Sequence, residues 1–71
     1  MNRKTYCEMM NALENMAQDC ETIIDRISIQ TYNRLFNVFK KDIKSMDYSI
    51  LINTGNELIT IPYTSIEYIS A

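Results

Sequence analysis

The chain has 71 residues, two cysteines, no histidine and a net charge of −2. It therefore cannot build, on its own, a Cys/His zinc site of the usual kind or a disulfide framework. It also lacks the basic excess of a non-specific nucleic-acid binder. The length allows one small domain over residues 1–71, stabilised by a hydrophobic core, by self-association or by both.

Charge is unevenly distributed along the chain. Residues 5–25 contain five acidic residues and no basic residue, whereas residues 28–46 contain four basic residues and one acidic residue. Solvated helix faces are the usual explanation for such runs. A charged surface that steers a partner is the alternative.

The sequence predicts a cytoplasmic protein that has no membrane partner. It holds no run of about 18 apolar residues, and its first residues lack the apolar core of a secretory signal. Two cysteines without a disulfide framework suit a reducing compartment. The abundance of Ile, Asn, Tyr and Lys indicates an AT-rich coding sequence. That composition suggests a low-GC bacterium, or a phage or mobile element of one.

Residues 3–27 carry the clearest helical signal. Apolar residues recur there at spacings of three and four, and neither Gly nor Pro interrupts them. The apolar stripe comprises Tyr6, Met9, Met10, Leu13, Met16, Ala17, Cys20, Ile23, Ile24 and Ile27. Its width is typical of a helix that packs in a bundle or against a sheet. We predict a first helix over residues 3–27.

A second apolar set at helical spacing follows. Its members are Tyr32, Leu35, Phe36, Phe39, Ile43 and Met46. Ser28 or Thr31 is a suitable N-cap, and the lysines at 40, 41 and 44 suit the negative end of a helix dipole. This pattern predicts a second helix over residues 31–45. A single helix with a stutter and a short strand over residues 27–31 are the alternatives.

From Asp47 onward the apolar period changes to two, which predicts strands over residues 48–53, 57–62 and 66–69. A two-residue loop at Gly55-Asn56 gives a register that places six large side chains on one face. The pairs are Tyr48–Tyr63, Ile50–Ile61 and Ile52–Ile59. Pro62 cannot donate a ladder hydrogen bond, so it indicates a strand end or a sheet edge.

Together these elements predict an α+β fold: a long amphipathic helix, a shorter second helix, an antiparallel hairpin and a short third strand. Residues 55–66 resemble the closing strands of Sm-like and other small β-barrels. Such a barrel needs five strands, more than the three predicted here, so we assign no family from this segment.

The first predicted helix is long for so small a globule. Residues 3–27 would span about 37 Å as a helix, against a diameter of about 29 Å for a folded chain of this length. We therefore expect a homodimer or higher oligomer, formed through the apolar stripe, through sheet edges, or both. The stripe is the predicted interface with a second copy or another partner. A monomer whose second helix covers the first is the alternative.

No catalytic or ligand-binding motif is present in the sequence. The carboxylates of the first helix lie on its outer face, and the lone Gly55 cannot form a phosphate-binding loop. Cys7 and Cys20, on one continuous helix, would lie about 20 Å apart, which is too far for a disulfide. We predict no enzymatic activity, no metal and no cofactor.

Binding is the function class that remains. We expect a small non-enzymatic interaction protein that regulates or inhibits a larger macromolecule, such as a phage or mobile-element inhibitor of a host defence protein. One alternative is an oligomer that sequesters a small molecule or nucleotide between subunits. Another is an RNA- or DNA-binding module that uses the basic second helix, although the net charge disfavours nucleic acid. Candidate ligand or partner contacts are Arg34, Lys40, Lys41, Lys44, Tyr48, Tyr63 and Tyr68.

Overall fold

The computed structural model describes residues 1–21 and 23–71 of the chain. This part contains one α-helix, α1 (Arg3–Asp19), and six strands. The strands are β1 (Arg26–Thr31), β2 (Leu35–Phe39), β3 (Ile43–Ser45), β4 (Ser49–Asn53), β5 (Leu58–Pro62) and β6 (Ile66–Ser70). Single turns of 3₁₀ helix, Lys40–Asp42 and Tyr63–Ser65, join β2 to β3 and β5 to β6. The predicted α+β class is confirmed.

Helix α1 begins after Asn2, whose side-chain Oδ1 accepts a hydrogen bond from the Thr5 amide at 2.8 Å. It ends at Asp19, and Glu21 then adopts a left-handed backbone conformation with φ +54°. The prediction of a helix to residue 27 is therefore wrong. A helix of 17 residues spans about 26 Å, which is shorter than the 31 Å longest dimension of the molecule. The predicted overhang of this helix does not occur.

The helical pattern gives way to a strand at β1. Ile27, Ile29 and Thr31 alternate with polar residues, and all three are buried. β-branched residues with a period of two favour a strand over a helix. The short strand considered as an alternative over residues 27–31 is the structure that forms.

The second helix predicted over residues 31–45 is also wrong, because β2 and β3 occupy that segment. Short apolar runs fit both periodicities, so the sequence pattern alone does not separate them. In β2, Phe36 and Val38 point into the core while Leu35 and Phe39 stay about half exposed. Antiparallel pairing of β2 with β1 supplies the backbone hydrogen bonds that a helix would have made locally.

The six strands form two antiparallel three-stranded sheets, with strand orders β2-β1-β6 and β3-β4-β5. The two 3₁₀ turns carry the chain from one sheet to the other, and one hydrophobic cluster draws side chains from both sheets and from α1. Because six strands are present, the strand count no longer argues against a small β-barrel.

The hairpin of β4 and β5 forms in the predicted register. Ile50 pairs with Ile61, and Ile52 pairs with Ile59. Gly55 has φ +93°, and a positive φ at the first of two central loop residues is what a type II′ turn requires. The local turn chemistry and the alternating isoleucines therefore specify this part of the fold.

The outer end of the same hairpin differs from its prediction. The Tyr63 amide donates to the Tyr48 carbonyl at 3.2 Å, so the two residues are adjacent. Their side chains do not share a face, because Tyr48 is 87% exposed and Tyr63 is buried. Pro62 ends β5, an edge strand of its sheet, as its missing amide hydrogen predicts.

Tyr6 anchors α1 in the core. Its ring lies 5.2 Å from that of Tyr63, measured between centroids. The Tyr63 hydroxyl donates to the Met46 carbonyl at 2.6 Å, whereas the Tyr6 hydroxyl is buried without a hydrogen bond of normal geometry to the described residues. Burial raises the pKa of Tyr6, and the nearby Ser45 side chain opposes part of this rise.

Candidate interaction surface

The apolar stripe predicted over residues 3–27 divides near Leu13 into two halves with different surroundings. The members of the first half pack against the core: Tyr6, Met9, Met10 and Leu13. In the second half, Met16, Cys20 and Ile23 are exposed, and Ala17 is half-buried. Cys20 and Ile23 follow Asp19, the last residue of α1. Met16 is 64% exposed and Ile23 is 84% exposed, so this end of the stripe presents apolar surface to solvent.

The last two residues of the predicted interface follow Ile23 in the chain. Ile24, in the link between α1 and β1, packs partly against the core, and Ile27 belongs to β1 and is 1% exposed. Burial leaves Tyr6 and Ile27 no surface for a partner. The exposed surface that is available to a partner lies in the second half of the stripe and around it.

The three tyrosines predicted as ligand or partner contacts do not converge. Tyr63 lies in the core, and Tyr48 lies in the turn between β3 and β4. Tyr68 lies on β6 opposite Gln30 of β1 and is about half exposed. These side chains do not form a common stacking platform.

The predicted basic contacts separate into distinct places as well. Arg34, near the turn between β1 and β2, stacks over the Phe36 ring at 4.4 Å. Lys44 is exposed on β3 and pairs in register with Leu51. Only Lys40 and Lys41 lie together, on the 3₁₀ turn that joins the two sheets.

Lys40 and Lys41 line a groove at the corner where β2 turns into β3. This corner groove has a volume of about 480 Å³ and is lined by Ile24, Asp25, Phe39, Lys40 and Lys41. Two smaller hollows continue it along α1 and share Lys40 with it. Ile23 lines one of these hollows together with Ile24, so the exposed end of the stripe and the corner groove form one continuous surface.

Phe39 forms the aromatic wall of the corner groove and is 47% exposed. The guanidinium carbon of Arg26 lies 5.0 Å from the centre of its ring, and the ammonium nitrogen of Lys41 lies 5.6 Å from it. Cations at these distances are attracted by the ring quadrupole. The groove therefore places positive charge directly beside an apolar surface.

Charge of opposite sign lies on the two sides of this surface. Lys40 pairs with Glu14 of α1 and so joins the helix to the corner. Arg26 and Lys41 form no ion pair with the described residues, and we call them the basic edge. Asp19, the last residue of α1, and Glu21, two residues beyond it, are both exposed, and we call them the acidic edge.

The described part of the chain contains neither a cluster of metal ligands nor a membrane-spanning helix. No three Cys, Asp or Glu side chains there come together as a metal site. No helix among the described residues is long and apolar enough to cross a membrane. Comparison with known protein families, with curated proteins and with solved structures finds no match.

Sequence reasoning missed Phe39 and Arg26 as surface residues. It placed Phe39 in the buried stripe of a second helix, where the side chain would have been part of the core. The signal was the alternation in β2, since inward Phe36 and Val38 require outward neighbours. Arg26 carried no such signal, because its position over Phe39 depends on the pairing of β1 with β2.

Proposed function

We propose that the chain is a small non-enzymatic interaction protein that binds another macromolecule through the corner groove and the adjacent Ile23. One observation carries this proposal: a highly exposed aliphatic side chain lies beside an unfilled groove with an exposed aromatic wall. Contiguous exposed apolar surface with a polar rim is typical of interaction sites.

The geometry suits recognition of a protein surface. An apolar side chain of the partner enters the groove between Ile24 and Phe39, where aromatic and arginine side chains commonly contribute most of the binding energy. Arg26 and Lys41 then attract acidic groups around that anchor and accelerate association. In this account the protein regulates or inhibits by occupying a surface, with no chemical step.

Self-association belongs to the same proposal. The overhanging helix that first motivated a homodimer does not exist, so the expectation now depends on the exposed second half of the stripe. Apolar side chains that a small core leaves uncovered are stabilised when a second chain buries them. The cytoplasmic location stays a prediction.

A second candidate function is the binding of an anionic small molecule, such as a nucleotide. The observation that favours it is Phe39, whose ring lies close to both Arg26 and Lys41 beside the groove. A planar base would stack on the ring while the two cations hold a phosphate. By contrast, the nucleic-acid alternative loses the basic helix on which it relied.

The two candidate functions separate in a ligand titration. We expect AMP and ATP to leave the melting temperature of the purified chain unchanged if proteins are the ligands. A rise with AMP or ATP, absent with adenosine and abolished in Phe39→Leu, would favour the nucleotide instead. The nucleotide alternative also expects a smaller rise in Lys41→Gln, in the corner groove, and an unchanged rise in Lys44→Gln, the charge-matched control on β3.

The main proposal is tested by crosslinking followed by reconstitution. A photo-crosslinking amino acid at Ile23 identifies the partner in cells, and the purified partner is then titrated with the wild type, Ile23→Glu and Leu58→Glu. Leu58 is exposed on β5 and lines no part of the corner groove. We expect Ile23→Glu to weaken binding at least about 10-fold and Leu58→Glu to leave it unchanged. Equal affinities for all three proteins would show that the corner groove is not the binding surface.

A further inference from the structure

We propose that a second copy of this chain occupies the corner groove, in a two-fold dimer in which Ile23 of each copy enters the groove of the other. This inference rests on the binding role proposed above and names the partner. It is carried by the shape of the surface around Ile24 and by the charges on its two sides.

The shape is that of a projection beside a recess. Ile23 extends into solvent, and the corner groove, with apolar walls formed by Ile24 and Phe39, is open next to it. A two-fold interface uses the same patch on both chains, so a projecting group and its recess must lie close to one axis. An axis that passes near Ile24 meets this requirement, because Ile24 lines both the recess and the hollow beside Ile23.

The charges fit the same arrangement. The acidic edge, Asp19 and Glu21, precedes Ile23, and the basic edge, Arg26 and Lys41, lies beside the groove. The lining of the groove also includes one acidic residue, Asp25, which the two cations of the basic edge outnumber. No basic residue interrupts residues 5–25, so the acidic edge has no cation of its own segment to neutralise it. When Ile23 enters the groove of the partner copy, each acidic edge approaches a basic edge. Complementary charges of this kind fix the register of an interface and speed its formation.

The required area is modest for a chain of this size. A standard interface removes about 800 Å² from each partner, roughly a sixth of the 4993 Å² surface of this chain. Since charged groups contribute to this interface, we expect a dissociation constant in the micromolar range that rises with salt.

The first experiment measures mass against concentration by sedimentation velocity, over about a hundredfold range of concentration. The wild type is expected to shift from monomer to dimer. Ile23→Asp is expected to raise the dimer dissociation constant at least about 30-fold, whereas Leu58→Asp leaves it unchanged. Circular dichroism checks that both variants stay folded, which the exposure of both side chains favours.

The second experiment exchanges the charges of the two edges. One variant carries Asp19→Lys with Glu21→Lys, and the other carries Arg26→Glu with Lys41→Glu. In a homodimer of either variant, both contacts across the two-fold axis would bring like charges together. Each variant alone is therefore expected to remain monomeric. In an equimolar mixture both contacts become attractive again, so a heterodimer is expected to form with close to wild-type affinity.

Several results would overturn this inference. A wild-type monomer at every concentration removes the dimer, while the crosslinking test at Ile23 still decides the proposed function separately. A dimer that survives Ile23→Asp places the interface elsewhere, such as at the strand edges of β5 and β6. A mixture of the charge variants that stays monomeric contradicts the pairing of the acidic with the basic edge.

Discussion

The two halves of the apolar stripe predicted over residues 3–27 share one sequence pattern and differ in their environment. Around Tyr6 and Leu13 the stripe packs on the core, whereas at Met16 and Ile23 it faces solvent. The hydrophobic period is continuous across both halves. Helical periodicity therefore indicates which side of a helix is apolar, but it does not indicate how far the structure beneath that side extends.

The difference arises from the sheets beneath α1. The helix packs mainly against β6, and it ends before the chain turns into β1. Met16 lies near the end of α1, and Ile23 lies beyond it, so neither side chain is covered by the strands against which the helix packs. The uncovered half is then free to act as a binding surface, which is the basis of the proposed function.

The largest predicted effect compares two isoleucines of the original stripe. Ile27→Ala removes a side chain that is 1% exposed and is expected to cost about 2–5 kcal/mol of unfolding free energy. Ile23→Ala changes an exposed side chain and is expected to alter monomer stability by no more than about 0.5 kcal/mol. Urea denaturation at low protein concentration measures both. Similar losses for the two variants would mean that Ile23 is buried in the folded chain, as Ile27 is.

A smaller contrast is expected within α1 itself. Leu13→Ala removes a partly buried side chain that packs on the core, so we expect a loss of about 1–2 kcal/mol. Met16→Ala, one turn further along, is expected to cost less than about 0.5 kcal/mol. The same denaturation experiment compares them, and a larger loss at Met16 would place the division of the stripe beyond that residue.

Removing the hydroxyl is expected to change the stability of the fold in opposite directions at the two buried tyrosines. Tyr63→Phe removes the hydrogen bond to the Met46 carbonyl and is expected to cost about 1 kcal/mol. Tyr6→Phe removes a buried hydroxyl without a hydrogen bond of normal geometry, so stability should stay the same or rise by up to about 1 kcal/mol. A clear loss in Tyr6→Phe, seen by thermal or urea unfolding, would show that this hydroxyl is satisfied.

The same hydroxyl predicts a response to alkaline pH. Because burial raises the pKa of Tyr6 above its usual value near 10, the folded state holds this proton at pH values where the unfolded chain has lost it. Its contribution to stability is complete below about pH 10 and is lost as the pH rises through the folded-state pKa. Tyr6→Phe should therefore lose less stability than the wild type in this window. Identical pH profiles would contradict the assignment.

The smallest expected effect is that of breaking the ion pair between α1 and the 3₁₀ turn that joins β2 to β3. Glu14→Gln breaks the contact with Lys40, but both side chains are about 40% exposed. We expect a loss of no more than about 0.5 kcal/mol, reduced further by salt. A loss above about 1 kcal/mol in urea denaturation would mean that the pair is better shielded from water than this exposure implies.

The sequence predicts those parts of the fold that local chemistry specifies. The hairpin of β4 and β5 follows from the turn at Gly55 and from isoleucines with a period of two, and the start of α1 follows from its uninterrupted stripe. The segment from residue 31 to 45 was predicted incorrectly because its spacing fits a helix as well as a strand. Pairing with β1, a contact distant from the local pattern, decides between them.

Less of the candidate site than of the fold could be predicted from the sequence. Ile23, Lys40 and Lys41 were among the predicted contacts, but nothing in their spacing brings them together. The turn Lys40–Asp42 brings the two lysines to the corner groove, and this turn exists because β2 and β3 belong to different sheets. Phe39 required knowledge of which face of β2 is buried, which follows from the sheet pairing rather than from the residue itself.

The most direct test of the account is a concentration series of amide spectra of the ¹⁵N-labelled wild-type chain. We expect resonances of Ile23, Ile24, Phe39 and Lys41 to shift as concentration rises, while those of Leu58 and Thr60 on β5 stay in place. An unchanged spectrum, or shifts confined to β5 and β6, would contradict the claim that the exposed end of the stripe and the corner groove bind a second copy of the chain.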